Sequence, residues 1–78
     1  MNKAIFYHAG CPVCLDAEQM LIKTINTSQY LLEIVDLKEQ PSRLREAQLS
    51  GAQSVPALAL DDRIFHINFG AALADLIF

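Results

Sequence analysis

Cys11-Pro12-Val13-Cys14 follows a short apolar run at residues 4–7 and opens a stretch of helical periodicity at residues 12–25. The motif contains both cysteines of the 78-residue chain. A Cys-x-x-Cys motif is typically redox-active when it follows a buried strand and a short loop and lies at the start of a helix. The stretch therefore predicts thiol–disulfide chemistry.

The start of the predicted helix favours a thiolate. The first N–H groups of a helix lack intrahelical partners and carry the positive end of the helix dipole. In such sites the pKa of a cysteine falls from about 8.5 to roughly 3.5–7.5. Pro12 suits the first helical position, because its ring fixes φ and its missing N–H would be unpaired there. We expect Cys11 to be the exposed nucleophile and Cys14, one turn further along, to be the resolving thiol.

Other interpretations of the motif remain open. A zinc site needs four ligands, and beside the two cysteines the chain offers only His8 and His66. A metal or iron–sulfur site shared between two chains is a second alternative. A pair of structurally inert cysteines is a third.

Length and composition predict one small, apolar domain that spans residues 1–78. This length is near the lower limit for a self-sufficient core. Yet 53% of the residues are hydrophobic, and the mean hydropathy is +0.25. So much apolar surface on a small body predicts that a partner, such as a second copy of the chain, covers part of it.

The charge and the N-terminus argue against several partners and locations. With a net charge of −3 and no basic patch, we expect neither nucleic acid nor an anionic membrane as a partner. Met1-Asn2-Lys3 runs directly into the first strand without a signal peptide, and no apolar run is long enough to span a bilayer. We therefore expect a cytoplasmic protein, in which two close cysteines are more often catalytic than structural.

The periodicity predicts the element order β-α-β-α-β-β-α. The helical crossover makes the first two strands parallel, and the tight turn at residues 61–63 makes the last two an antiparallel hairpin. We expect an α/β fold in which helices flank both faces of a four-stranded mixed sheet. The predicted strands are residues 3–7, 30–37, 57–60 and 64–69, and the predicted helices are residues 12–25, 41–50 and 70–78.

This order, with Cys-x-x-Cys at the first helix and Val55-Pro56 before the third strand, resembles the thioredoxin fold. The compact form is similar to the glutaredoxin and small-redoxin branch. The resemblance implies that Cys11 attacks, that Cys14 resolves, and that Pro56 is the family's cis-proline facing the disulfide. An ordinary trans proline at an edge strand is the alternative for Pro56. The substrate contacts that the resemblance implies are Pro12, Val13, Val55 and Gly70.

Two positions depart from the glutaredoxin pattern. Glutaredoxins usually carry Lys three residues before the first cysteine, where this chain has His8. They also show two glycines and then an acidic residue after the fourth strand, where this chain has Phe69-Gly70-Ala71-Ala72 and no acid until Asp75. Both changes weaken the charged contacts through which glutaredoxins bind glutathione. The thioredoxin signature differs as well, because Pro12-Val13 replaces its Gly-Pro and its tryptophan is absent.

His8 and Glu18 are further candidate catalytic residues. We hypothesise that His8, as a nearby cation, tunes the Cys11 thiolate; a partly exposed loop residue is the alternative. Glu18 lies one turn after Cys14 inside an apolar arc of the helix. A poorly solvated carboxylate there would have a raised pKa and could accept the proton of Cys14. A hydrogen bond across an interface, or simple solvation at the edge of the arc, is the alternative for Glu18.

The fourth strand is predicted to be a sheet edge without the usual protection. After Arg63, residues 64–69 carry no charge, whereas natural edges usually carry a charge or a proline that blocks pairing. We hypothesise that this edge and the apolar final helix form a homodimer contact.

These observations predict a thiol–disulfide oxidoreductase that exchanges disulfides with protein or small-molecule substrates. It would need an external reductant, either a reductase or glutathione, and no bound cofactor. The alternatives are a glutathione-linked glutaredoxin and a non-enzymatic dimer. Such a dimer would sense redox state or bind metal through Cys11 and Cys14 of both chains.

Overall fold

The computed structural model describes residues 2–25, 29–61 and 63–76. Its strands form one mixed sheet in the order β2-β1-β3-β4, with β1 and β2 parallel and the other neighbours antiparallel. The strands are β1 (Asn2–His8), β2 (Tyr30–Asp36), β3 (Ser54–Leu60) and β4 (Arg63–Ala72). The α-helices are α1 (Pro12–Thr24) and α2 (Leu44–Leu49), and short 3-10 helices span Pro41–Arg43 and Leu73–Leu76. The predicted α/β fold, the mixed sheet and the edge position of β4 are confirmed.

The helix α1 ends one residue short of the predicted range 12–25, which the stretch Asn26-Thr27-Ser28 was expected to terminate. The last helical residue is Thr24, and Ile25 caps the helix by donating its backbone N–H to the carbonyl of Leu21 at 2.8 Å. Residues 26–28, where the sequence places the end of the helix, lie outside the described residues. Within the described ranges, no helix combines the length and the apolar content needed to cross a membrane.

Side-chain alternation along β1 divides the core between the two faces of the sheet. On one face, Ala4 and Phe6 pack with Ala17 of α1 and Leu58 of β3. Full burial of a side chain such as Phe6, which is 0% exposed, stabilises the fold by about 1.5–3 kcal/mol. The opposite face packs against α2 and the last 3-10 helix. Its buried cluster includes Tyr7, Val35, Leu37, Ala47, Val55, Leu73 and Leu76.

A polar network attaches α2 to the sheet, because α2 has little apolar surface of its own. The hydroxyl of Tyr7 donates to Glu46 Oε2 at 2.5 Å, and Arg43 contacts both Glu46 at 2.8 Å and Glu33 of β2 at 2.6 Å. Burial and the bond to Glu46 raise the pKa of Tyr7 well above its ordinary value. Hydrogen bonds from Arg43 and Lys3 hold the pKa of Glu33 at about 2. The network therefore links β1, β2 and α2.

The predicted final helix at residues 70–78 is wrong at its start. The strand β4 continues to Ala72, and only Leu73–Leu76 is helical, as a 3-10 turn; residues 77–78 lie outside the described part of the chain. The cause is long-range pairing, because Ser54 and Val55 pair with Ala72 and Ala71 and hold these residues extended. Leu73 and Leu76 are buried.

A bulge in β4 accompanies this extension. Ala57 pairs with His66, but Val55 pairs with Ala71, so residues 67–70 lie opposite the single residue Pro56. Proline has no N–H to donate to the sheet, and an interrupted ladder is where extra residues are accommodated. The bulge delivers Gly70 to the end of α1 that carries the cysteines.

Candidate active site

Cys11 and Cys14 are joined as a disulfide at the N-terminus of α1, with their Cα atoms 5.0 Å apart. This Cα separation lies within the usual range for disulfides. Cys11 is the N-cap residue, and its Sγ accepts the backbone N–H of Cys14 at 3.2 Å. Cys14 is 0% exposed, whereas Cys11 is only partly buried. An incoming disulfide therefore has access to Cys11 and not to Cys14.

The local sequence places Cys11 at the positive end of α1. Gly10 adopts φ +76°, a left-handed conformation that turns the chain from β1 into the helix at little cost for glycine. Cys11 is extended, at φ −72° and ψ 159°, and Pro12 starts the helix. The first turn of α1 contains no acidic residue to offset the helix dipole. This environment favours a thiolate at the N-cap position.

The backbone beside the disulfide contains Val55 and Pro56. The peptide bond between them is cis, as the resemblance implies, and both side chains are fully buried. An ideal Cβ built on Gly70 would lie 3.1 Å from the carbonyl oxygen of Val55. The end of β3 and the bulge of β4 thus lie side by side next to the cysteines.

Gly70 leaves no room for a side chain. A Cβ at this position would lie 3.2 Å from Cys14 Sγ and would overlap Cys11 Sγ. The position requires glycine because of this close approach. The sequence singled out Gly70 through the resemblance alone, since its proximity to both sulfur atoms depends on the bulge.

His8 and Glu18, which the sequence singled out separately, lie together in the structure. His8 is the last residue of β1 and is 6% exposed, so the alternative of a partly exposed loop residue is wrong. Its Nδ1 accepts the N–H of Gly10 at 3.1 Å, and its Nε2 lies 3.5 Å from Glu18 Oε1. Its ring also stacks on Phe6, with centroids 5.6 Å apart. A neutral imidazole with its proton on Nε2 matches both polar contacts.

Pro12 and Val13 occupy the rim of the site. Pro12 is exposed at the start of α1, and the partly buried Val13 lines a groove together with Ile67 of the β4 bulge. Both residues are therefore accessible to a molecule that approaches Cys11.

His66 does not join the cysteines. Its Nε2 accepts the backbone N–H of Gln53 at 3.1 Å, which uses the lone pair that a metal ion would need. Among the described residues, no group of three or more His, Cys, Asp or Glu side chains is arranged to hold a metal ion. Asn68 follows two residues after His66 in β4, and its side chain lies outside the described part of the structure.

Comparisons with protein-family models and with curated proteins find no match. Among solved structures, the chain is similar to a dimeric thioredoxin-like protein from Nitrosomonas europea, determined by NMR in solution. The two chains share 55% sequence identity, and the match covers 96% of this chain and 94% of the other, with a TM-score of 0.88. The chain belongs to the thioredoxin-like proteins.

Proposed function

We propose that the protein is a cytoplasmic thiol–disulfide oxidoreductase that uses Cys11 and Cys14 as a dithiol. The observation that carries the proposal is an accessible Cys11 at the positive end of α1, bonded to a buried Cys14. An exposed nucleophile backed by a second thiol is the arrangement that disulfide exchange requires.

The exchange proceeds in two displacements. The Cys11 thiolate attacks one sulfur of a substrate disulfide, which forms a mixed disulfide and releases the first substrate thiolate. Cys14 then loses its proton and attacks the Cys11 sulfur, which releases the second substrate thiolate and closes the Cys11–Cys14 disulfide. An external reductant, a reductase or glutathione, restores both thiols with two electrons and two protons.

The geometry supports a protein disulfide as the substrate more than it supports glutathione. His8 stands where glutaredoxins carry a lysine, but it is 6% exposed and faces Glu18, so it is not available to bind a glutathione carboxylate. We propose that Pro12, Val13, Val55 and Gly70 contact the segment that flanks the substrate cysteine.

We also propose that the protein forms a homodimer. The similar protein from Nitrosomonas europea is described as dimeric, and β4 is an edge strand that exposes Phe65, Ile67 and Phe69. The final segment was predicted to contribute to the contact, but Leu73 and Leu76 are buried in the core of their own chain. The proposed contact therefore involves β4 and not Leu73 or Leu76.

The test of the proposed function is a redox titration in defined thiol–disulfide buffers, with alkylation to trap each state. We expect one two-electron transition between the dithiol and the Cys11–Cys14 disulfide. A midpoint of about −270 mV identifies a reductant, and one of about −120 mV identifies an oxidant. If no intramolecular disulfide forms at any redox potential of the buffers, the dithiol mechanism is discarded. Stoichiometric zinc or a coloured cluster in the purified protein would then indicate the metal-binding alternative.

For the second displacement, we propose that Glu18 accepts the proton of Cys14 and that His8 orients Glu18. Residues four apart on a helix have Cβ atoms about 5–6 Å apart, which places Glu18 one turn from Cys14. The side chain of Glu18 is 20% exposed, and His8 Nε2 is near its carboxylate. A shielded carboxylate at this distance can act as a general base, directly or through a water molecule.

Glu18→Gln is expected to slow the release of the mixed disulfide by roughly 100-fold, because general bases typically contribute 10²–10⁴-fold. Quenched-flow mass spectrometry of the mixed disulfide measures this step. Glu39→Gln, the same change at an exposed turn residue, is the matched control and should leave the rate unaltered. An unchanged rate of release in Glu18→Gln at all pH values excludes the proton-accepting role.

If His8 acts instead as a cation at Cys11, His8→Ala should shift the pH dependence of the rate of Cys11 alkylation to higher pH.

A further inference from the structure

An apolar groove runs between α1 and the side of β4 that faces α1. Phe65 pairs with Leu58, which belongs to the core cluster on the α1 face, so Phe65 points to the same face. One part of the groove, of about 230 Å³, is lined by Val13, Met20 and Ile67. A second and more polar cavity, of about 340 Å³, is lined by Phe65 of the same strand together with Tyr30, Leu60, Asp61 and Arg63. We call this surface the α1–β4 groove.

The last described element, the 3-10 helix Leu73–Leu76, does not cover this groove. Leu73 and Leu76 of the 3-10 helix pack in the cluster on the opposite face of the sheet, with Ala47 of α2. Of the helices in the described ranges, only α1 borders β4 on the groove side. Met20 is consequently 65% exposed, Phe65 45% and Ile67 38%. Adjacent large apolar side chains with this exposure are typical of an interaction surface.

We propose that a second copy of this chain docks in the α1–β4 groove and that this docking closes the thiol site. The proposal rests on the redox function and the homodimer proposed above, and it adds where the second copy binds and what its binding does. The related protein, 55% identical, is described as dimeric, which makes a second copy the occupant that the observations favour.

The charges of the groove favour one arrangement of the two copies. Asp16 borders the end near the cysteines, and Arg63 borders the far end, next to Asp61. A two-fold axis that lies across the groove brings Asp16 of each copy to the end that carries both Asp61 and Arg63 of the other copy, whose opposite charges offset each other. An axis parallel to the groove would instead bring the two Asp16 side chains together, which like-charge repulsion disfavours. The antiparallel arrangement is therefore the expected one.

The groove and the thiol site share part of their surface. Val13 lines the groove and is also one of the proposed substrate contacts, two residues after Cys11. Ile67 begins the bulged segment at residues 67–70, whose last residue, Gly70, lies against Cys11 Sγ. A second copy that covers Val13 and Ile67 excludes a substrate from the same place. The monomer is therefore the reactive form. Because the two binding equilibria are linked, substrate binding weakens dimerisation by the same factor by which dimerisation weakens substrate binding.

Analytical ultracentrifugation of three chains tests the location of the contact. Met20→Lys places a charge in the groove at a largely exposed helical position, and we expect it to weaken dimerisation by about tenfold or more because a buried unpaired charge is costly. Leu49→Lys makes a similar change at a residue of α2 that is 76% exposed and outside the groove, and it should leave dimerisation unchanged. Phe65→Lys provides a second groove variant, and circular dichroism verifies that each variant is folded.

Three results would each overturn the proposed location of the contact. The wild-type chain could stay monomeric at hundreds of micromolar, the dimer could survive both groove variants, or Leu49→Lys could disrupt the dimer.

The closure of the site is tested separately, through the initial rate of iodoacetamide alkylation of the reduced protein. We expect the rate per thiol to fall several-fold as the wild-type concentration rises through the dimer range, and to stay constant in Met20→Lys. A wild-type dimer that is alkylated as fast as the monomer overturns the closure. Failure of the redox titration would remove the oxidoreductase function without changing either of these results.

Discussion

Cys11→Ser is expected to abolish disulfide exchange completely, whereas Cys14→Ser is expected to retain the first displacement and to accumulate a mixed disulfide. The asymmetry follows from burial. Cys14 is 0% exposed and cannot reach a substrate, while Cys11 is partly exposed at the N-terminus of α1. A serine hydroxyl is not ionised at neutral pH and does not replace a thiolate as nucleophile.

Mass spectrometry after incubation with a peptide disulfide measures both outcomes. Cys14→Ser should gain the mass of one peptide thiol on Cys11, because no second thiol is present to release it. The double variant Cys11→Ser/Cys14→Ser provides the background, and Cys11→Ser should match that background. If Cys11→Ser forms the mixed disulfide and Cys14→Ser does not, the two roles are reversed and the burial argument is wrong.

Gly70→Ala is expected to shift the thiol–disulfide equilibrium towards the dithiol. The added Cβ would overlap Cys11 Sγ and would crowd Cys14 Sγ at 3.2 Å and the carbonyl oxygen of Val55 at 3.1 Å. In the dithiol, the Cys11 side chain is free to rotate away, but in the disulfide it is not. Overpacking typically costs 1–3 kcal/mol, which corresponds to a reduction potential roughly 20–60 mV more positive for a two-electron couple.

The redox titration of Gly70→Ala against the wild type measures this shift. Gly51→Ala is the matched control, because it makes the same change in a glycine at φ +105°, next to Ile64 and not to the cysteines. Gly51→Ala should lower the stability of the fold through backbone strain and leave the potential unaltered. A Gly70→Ala protein with an unaltered potential would show that β4 moves away from the cysteines without cost.

Local patterns in the sequence were sufficient to predict most of the fold. The apolar run before Cys11, the helical spacing after it and the short turn at residues 61–63 each depend on neighbours in the chain. From these, the crossover and hairpin rules lead directly to the parallel pair and the antiparallel pair. The final helix was predicted wrongly at its start because Ala71 and Ala72 have helical propensity, yet they are held extended by pairing with Val55 and Ser54. That pairing joins residues distant in sequence and leaves no local signal.

The site was predictable to a similar extent. Cys11 and Cys14 were identified from their spacing, and the cis peptide bond at Pro56 followed from the resemblance. The contact of His8 with Glu18 was not predicted, although both residues were singled out, because it requires the end of β1 to lie beside the second turn of α1. The open α1–β4 groove was not predicted either, because the helical pattern of residues 70–78 does not reveal on which face of the sheet that segment packs.

The bulge opposite Pro56 has a consequence for how such a protein can diversify. On both sides of residues 67–70 the pairing of β4 with β3 is regular, so the register of the two strands is set outside the bulge. Substitutions at Ile67, which lines the groove together with Val13, therefore alter the rim of the thiol site without altering the register of the sheet. Gly70 is the exception, since its lack of a side chain leaves room for the disulfide. A change of contacts at the rim can thus evolve within the bulge while the sheet and the two cysteines remain the same.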